Sequence, residues 1–136
     1  MTPSSQITRQ TTLDCIHRIT PDQIKTATQK LLPRLIEIRR HLHAHPELSG
    51  HEYQTAAYVA GLLSACGLPV QESVGRTGLV AELQGSGEDT RVLAVRTDMD
   101  ALPIEEKSGL DYASRQPGMM HACGHDVHTT VGRLQK

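Results

Sequence analysis

The sequence predicts an α/β fold with helices packed on a mixed sheet, and three observations support that class. Two helix-start signals, at Thr20 and Ser49, are each followed by apolar residues at helical spacing. Strand-length apolar runs separated by glycine-containing turns occupy residues 68–95. A cluster of histidine and cysteine around Gly124 then leads into one more helix. The length of 136 residues suits one domain, and 38% hydrophobic with 21% charged residues is a globular composition. Aromatic residues are scarce, with three Tyr, no Phe and no Trp, so the expected core is a thin one of Leu, Ile, Val, Ala and Met.

Residues 1–19 read as a polar tail, rich in Ser, Thr and Gln and without a sustained apolar period. The domain is expected over residues 20–136. Its first helix begins at Thr20-Pro21-Asp22-Gln23: Thr20 caps, Pro21 suits the first helical position, Asp22 complements the dipole and Gln23 closes a capping box. Leu31, Leu32, Leu35, Ile36, Ile38 and Leu42 carry an apolar pattern to His43, and Pro33 inside it is expected to kink or divide the helix. Pro46 biases His45 out of helical geometry. That leaves His41, His43 and His45 either as helix-end and loop histidines or as metal ligands.

A second capping box, Ser49 with Glu52, opens a helix that carries Ala56, Val59, Ala60, Leu62, Leu63 and Cys66 on its apolar side. Gly67 ends it in the C′ place. Residues 68–74 and 79–83 are strand candidates joined by a turn at 75–78. Residues 85–89 form a tight connection to the run at 92–95, which has the character of a strand buried on both faces of a sheet. Glu105 and Glu106 read as solvated.

A net charge of −1, from 14 basic and 15 acidic residues without a long block of one sign, argues against nucleic acid or a membrane surface as partner. No apolar run approaches the roughly 18 residues of a membrane span, and the polar start lacks a secretory apolar region. Cys15, Cys66 and Cys123 show no framework spacing, which suits a reducing compartment, and the expected location is cytoplasmic.

Chemistry concentrates in residues 121–128, where His121, Cys123, His125, Asp126 and His128 crowd together. Thiolate and imidazole suit zinc and similar divalent metals. Cys123 and His125 flank a glycine that permits a tight turn, and a helix starting near Gly124 puts His125 and His128 on one face. A buried structural role for the same residues remains open at this level. Two aspartates, Asp98 and Asp100, follow the run at 92–95, beyond the carboxyl end of a strand where sites in α/β sheets gather. Like charges that close need a cation, either a metal or Arg96.

Together these motifs resemble the M20 metallopeptidase family. R-R-H-L-H-A-H-P-E-L-S at residues 39–49 with Glu52 and Thr55, D-M-D-A-L-P-I at 98–104, and M-H-A-C-G-H-D-V-H-T-T at 120–130 are similar to its amidohydrolase branch. That branch includes N-acyl-amino-acid amidohydrolases, hippurate hydrolases and auxin-conjugate hydrolases. The resemblance implies a zinc-peptidase-like α/β catalytic domain with two divalent metal ions (Zn, Mn, Co or Ni). It makes Cys123 and His125 metal ligands and Asp100 a residue supporting the site. Asp98 stands where other branches carry a ligand histidine, and is left outside the ligand set. The implied substrate is a small N-acyl amino acid or similar conjugate, cleaved at its amide bond with a glutamate of a Glu-Glu pair as general base.

That Glu-Glu pair follows the Cys-Gly-His motif in the family, so Glu105 and Glu106 do not match it. The pair, two further histidine ligands and a second, dimerisation-type domain are expected beyond residue 136. The chain therefore reads as an N-terminal portion of such an enzyme, the complete form of which would be a homo-oligomer. By itself it is expected to be inactive towards amides. The alternative is a non-catalytic remnant acting as a weak metal-binding or interaction module. A redox role for Cys123 is the weakest reading, since no second cysteine lies near it in sequence.

Overall fold

The computed structural model describes residues 20–85 and 92–132. The tail read at 1–19 and most of the connection at 85–89 lie outside the described residues. The first helix, α1 (Pro21–Ala44), opens with the reciprocal capping box. The Thr20 N–H donates to Gln23 Oε1 (2.8 Å), and the Gln23 N–H donates to Thr20 Oγ1 (3.3 Å). Pro33 does not divide the helix. Both Pro33 and Gln29, whose carbonyl loses its partner to the proline, are exposed, so water can satisfy the freed acceptor. The described residues up to Pro33 and those from Arg34 onward belong to two separate units. In the first, Leu31 and Leu32 are exposed rather than part of a core; burial along α1 begins at Ile38.

Within the second unit, Ile38 and Leu42 of α1 pack on Leu62 of α2 (Tyr53–Ala65), with Tyr58 against them. The start of α2 departs from the sequence expectation. No side chain caps it at Glu52. The carboxylate of Glu47 accepts the N–H groups of Gln54 (3.1 Å) and Thr55 (2.7 Å) instead. One ionised carboxylate thereby satisfies two orphan donors with a separate oxygen for each, and adds a negative charge at the positive end of the helix that a serine hydroxyl lacks. Glu52 is buried and accepts the Thr77 hydroxyl at 2.6 Å. Gly67 ends α2 as expected, with φ of +78° and its N–H on the Ser64 carbonyl. Cys66 is half-buried, not a core residue.

The strands β1 (Val70–Val74) and β2 (Gly78–Ala81) form an antiparallel pair against which α2 packs, with Val70 opposite Ala81 and Val74 opposite Gly78. A Cβ at Gly78 would lie 2.5 Å from the Val74 carbonyl oxygen, so the turn closes only around a glycine. Both senses of pairing occur, since an isolated parallel bridge joins Leu48 to Ala101 and an antiparallel one joins Leu102 to Met120. The expected strand at 92–95 is not formed. Val92 and Leu93 are 92% and 87% exposed. A strand buried on both faces needs neighbours at its edges and layers above and below, and none of the described elements pairs with this run. The last helix, α3 (His125–Gly132), starts directly after Gly124. No described helix is long and apolar enough to cross a membrane.

Candidate metal centre

Backbone pairing brings the two chemistry-bearing segments side by side. The Ala101 N–H donates to the Glu47 carbonyl (2.7 Å), and Leu102 and Met120 exchange N–H···O bonds of 2.9 and 3.0 Å. Asp100 on one segment therefore meets His125 on the other. His125 Nδ1 lies 2.9 Å from both the backbone oxygen and Oδ1 of Asp100. Two acceptors at Nδ1 place a proton there, and Nε2 is the ring nitrogen turned away from Asp100. A carboxylate behind an imidazole in this way orients the ring and raises its strength as a ligand.

Cys123, two residues earlier across Gly124 (φ +83°), carries a free and exposed thiol. His125 and His128 share a face, with ring centroids 5.8 Å apart. His121 is buried, and neither of its ring nitrogens has a hydrogen-bond partner. Burial lowers its pKa, opposed by the nearby charge of Asp126 and reinforced by His43 and His125.

Asp98 and Asp100 take different partners. Asp98 pairs with Arg96 at 2.6 Å on the surface, the structural alternative left open by the sequence, and its backbone oxygen accepts the Thr129 hydroxyl at 2.9 Å. Helix-end roles account for two of the three alternating histidines: His45 Nδ1 donates to the His41 carbonyl (2.7 Å), and the His41 ring stacks on Tyr58.

The third, His43, belongs to a buried cluster that the sequence did not reveal. Asp126 Oδ2 accepts Arg39 Nε (2.8 Å) and His43 Nδ1 (2.7 Å). His43 Nε2 reaches Glu106 Oε1 at 3.1 Å. Glu106, read as solvated from sequence, has a side chain only 3% exposed. Burial by itself would push its carboxyl up. Hydrogen bonds from Ser108, the Ser114 N–H and His43, together with the charge on His43, outweigh burial and hold it at about 2. Arg39 and Arg40 both lie over the Tyr112 ring, at 5.1 and 4.7 Å. The one local signal of this cluster was the spacing of Arg39 and His43, four apart on a helix face.

The donors that are present fit a divalent metal. A free thiol and an imidazole whose far nitrogen is held by a carboxylate are borderline-soft S and N ligands of the kind zinc and its neighbours take. The buried, unpaired nitrogens of His121 beside them show that the surroundings are not polar-satisfied by the described side chains alone. Among the described residues, no three His, Cys, Asp or Glu side chains converge to hold an ion. Cys123 and His125 by themselves would be at most part of a coordination sphere.

The model of peptidase family M20/M25/M40 matches residues 94–133. A Synechocystis sp. protein named a probable hydrolase is 70% identical over 110 residues, which is 81% of this chain and 28% of that protein. The N-acyl-L-amino acid amidohydrolase of Geobacillus stearothermophilus is 44% identical over 113 residues, 83% of this chain and 30% of that enzyme. Among solved structures, the Bacillus subtilis YXEP protein, described as a dinuclear metal binding peptidase from the M20 family, superposes with a TM-score of 0.70 at 44% identity. That match covers 75% of this chain and 29% of the other. The chain thus spans less than a third of the length of these relatives. With the D-M-D and Cys-Gly-His segments paired and the sequence likeness extending across both, residues 94–133 are a segment of the M20/M25/M40 peptidase family type, and the wider likeness is to proteins that include a named amidohydrolase.

Proposed function

We propose that this chain contributes part of the metal centre of a hydrolase that cleaves the amide bond of N-acyl amino acids or similar small conjugates. Cys123 and His125 are its ligands and Asp100 orients His125. The observation that carries this reading is the Asp100–His125 pair, which leaves Nε2 of His125 as a donor two residues from a free thiol. The printed activity of the Geobacillus relative supports the substrate class. The dinuclear description of the Bacillus structure supports two ions per complete site.

Divalent ions bound there would supply Lewis-acid polarisation of the amide carbonyl and acidify the attacking water. This chain's own residues prepare the site. Asp100 accepts from Nδ1 of His125, and Gly124, at φ +83°, turns the backbone between Cys123 and His125. Neither local glutamate serves as general base. Glu106 is bonded to His43, Ser108 and Ser114, and Glu105 accepts the Gly118 N–H. On this reading the base, the remaining ligands and a second domain lie outside the described residues.

A weak metal-binding module is the second reading, favoured by the lack of three converging donors among the described residues. Cobalt(II) titration of the 136-residue chain, followed by thiolate-to-cobalt charge-transfer absorption, tests the ligand assignment. The band should appear with the wild type and vanish in Cys123→Ala. Equal affinity of the two proteins removes Cys123 from the site. Assays with N-acetyl amino acids and added Mn²⁺, Zn²⁺ or Co²⁺ separate the two readings. The chain alone should give no turnover, and turnover lost in Cys123→Ala would show a complete site.

A further inference from the structure

We propose that Asp126, with His43, Glu106 and Arg39, is the positioning device for the Cys123–His125 donor pair, an inference that rests on the metal reading above. Asp126 follows His125 directly in α3, and its side chain is fully buried. One oxygen accepts Arg39 and His43 from α1, and the other accepts the Val127 N–H at 2.9 Å. Successive helical residues point about 100° apart around the axis. Fixing Asp126 against α1 therefore fixes the direction in which His125 leaves the helix, and that direction is towards Asp100.

The described part of helix α3 has eight residues, too few to hold a helix by hydrogen bonding alone. Its Val127, His128 and Val131 are exposed, so apolar burial anchors it weakly. The remaining ties are single contacts to the segment before it: His125 to Asp100 and Thr129 to the Asp98 carbonyl. The charged bonds of Asp126 are the ones that cross to another helix.

Mutual hydrogen bonding explains how this network stays buried. Asp126 and Glu106 lie at the two ring nitrogens of His43, and Arg39 bonds Asp126 and also lies 3.2 Å from His43 Nδ1. A set with its hydrogen bonds made can remain out of water, whereas removing one member strands the others. Glu106 extends the tie to the loop at 106–114 through the Ser114 N–H at 2.6 Å. The donor pair is thereby referred to α1 and to that loop.

Asp126→Asn in the full chain tests this, because it keeps the shape and removes the charge. Amide hydrogen exchange of the metal-free protein should speed up about tenfold or more at Val127 and His128, the loss expected for a charge-assisted bond. Protection in α2 should be unchanged. Cobalt(II) affinity should fall by about 10- to 100-fold, the usual effect of removing a residue that orients a ligand. The thiolate charge-transfer band should persist at saturation. Arg39→Gln, at a partly exposed position, is the milder variant and should give the same pattern with smaller size. Wild-type exchange in α3 together with wild-type cobalt affinity overturns the proposal. So does an equal loss of protection in α2, which would make Asp126 a residue of general stability. Should the wild type bind no cobalt, the metal reading fails by itself, and the exchange pattern alone decides whether Asp126 positions the motif.

Discussion

Replacing Glu106 with Gln removes one charge from the buried set while leaving an oxygen to accept the Ser114 N–H. The magnitude follows from the carboxyl itself, held at about 2 against an ordinary 4.5. At about 1.4 kcal/mol per pH unit that difference is worth at most about 3 kcal/mol of folding free energy near neutral pH. Gln keeps part of the hydrogen bonding, so the expected loss is about 1–3 kcal/mol. The sign of the pH dependence is fixed by the direction of the shift. A carboxyl depressed in the folded state contributes its full stability above the unfolded value of 4.5. That contribution drains away as pH falls from there towards about 2. Urea unfolding of both proteins, followed by circular dichroism between about pH 7 and about pH 2.5, should show a gap that is widest near neutrality and closes in acid. Carbon-13 NMR of the Glu106 carboxyl reads the same titration directly. A gap of constant size across that range, or a variant more stable than wild type near neutral pH, would refute the reading of Glu106 as a stabilised buried carboxylate.

Two further outcomes follow from the fold. Glu47→Ala removes the carboxylate that receives the Gln54 and Thr55 amides, and should cost about 1 kcal/mol, seen as a lowered Tm; an unchanged Tm would mean that α2 does not depend on this cap. Leu93→Lys, at a position 87% exposed, should change stability by no more than about 0.5 kcal/mol in urea unfolding, and a loss well above about 1 kcal/mol would show that residues 92–95 are covered in solution.

Features written in neighbouring residues were legible in the sequence. The Thr20–Gln23 box, the Gly67 terminator, the hairpin between Val70 and Ala81 and the helix after Gly124 each follow from a signal a few residues long, and each is present. The Cys123–Gly124–His125 turn belongs to the same class. Pairings set by the tertiary fold were not legible. Asp126 and Arg39 are 87 residues apart, and His43 and Glu106 are 63 apart, so nothing local marks them as partners. Ser49 and Glu52 offered a good capping box, yet Glu47 took the helix end because the turn at Pro46 carries a stronger acceptor to it. Residues 92–95 have the composition of an inner strand without strand structure, because the pattern states what a segment can bury and not whether neighbours are there to bury it.

The division between local and distant contacts bears on when the metal site is made. Arg39, His43, Asp126 and Glu106 are bonded to one another, and none of the four takes its partner from an ion. His125 likewise finds Asp100 through Nδ1, away from the nitrogen that would bind metal. In small zinc domains the donors have no fixed arrangement until the ion arrives, and binding is spent on folding. Here the first turn of α3 is anchored by bonds that form with the fold itself. On the proposed metal reading, the ordering cost of His125 is then met before any ion binds, and removing metal should leave α3 in place. Protection of the Val127 and His128 amides in a chelated sample should therefore match that in the metal-loaded one far more closely than it matches Asp126→Asn.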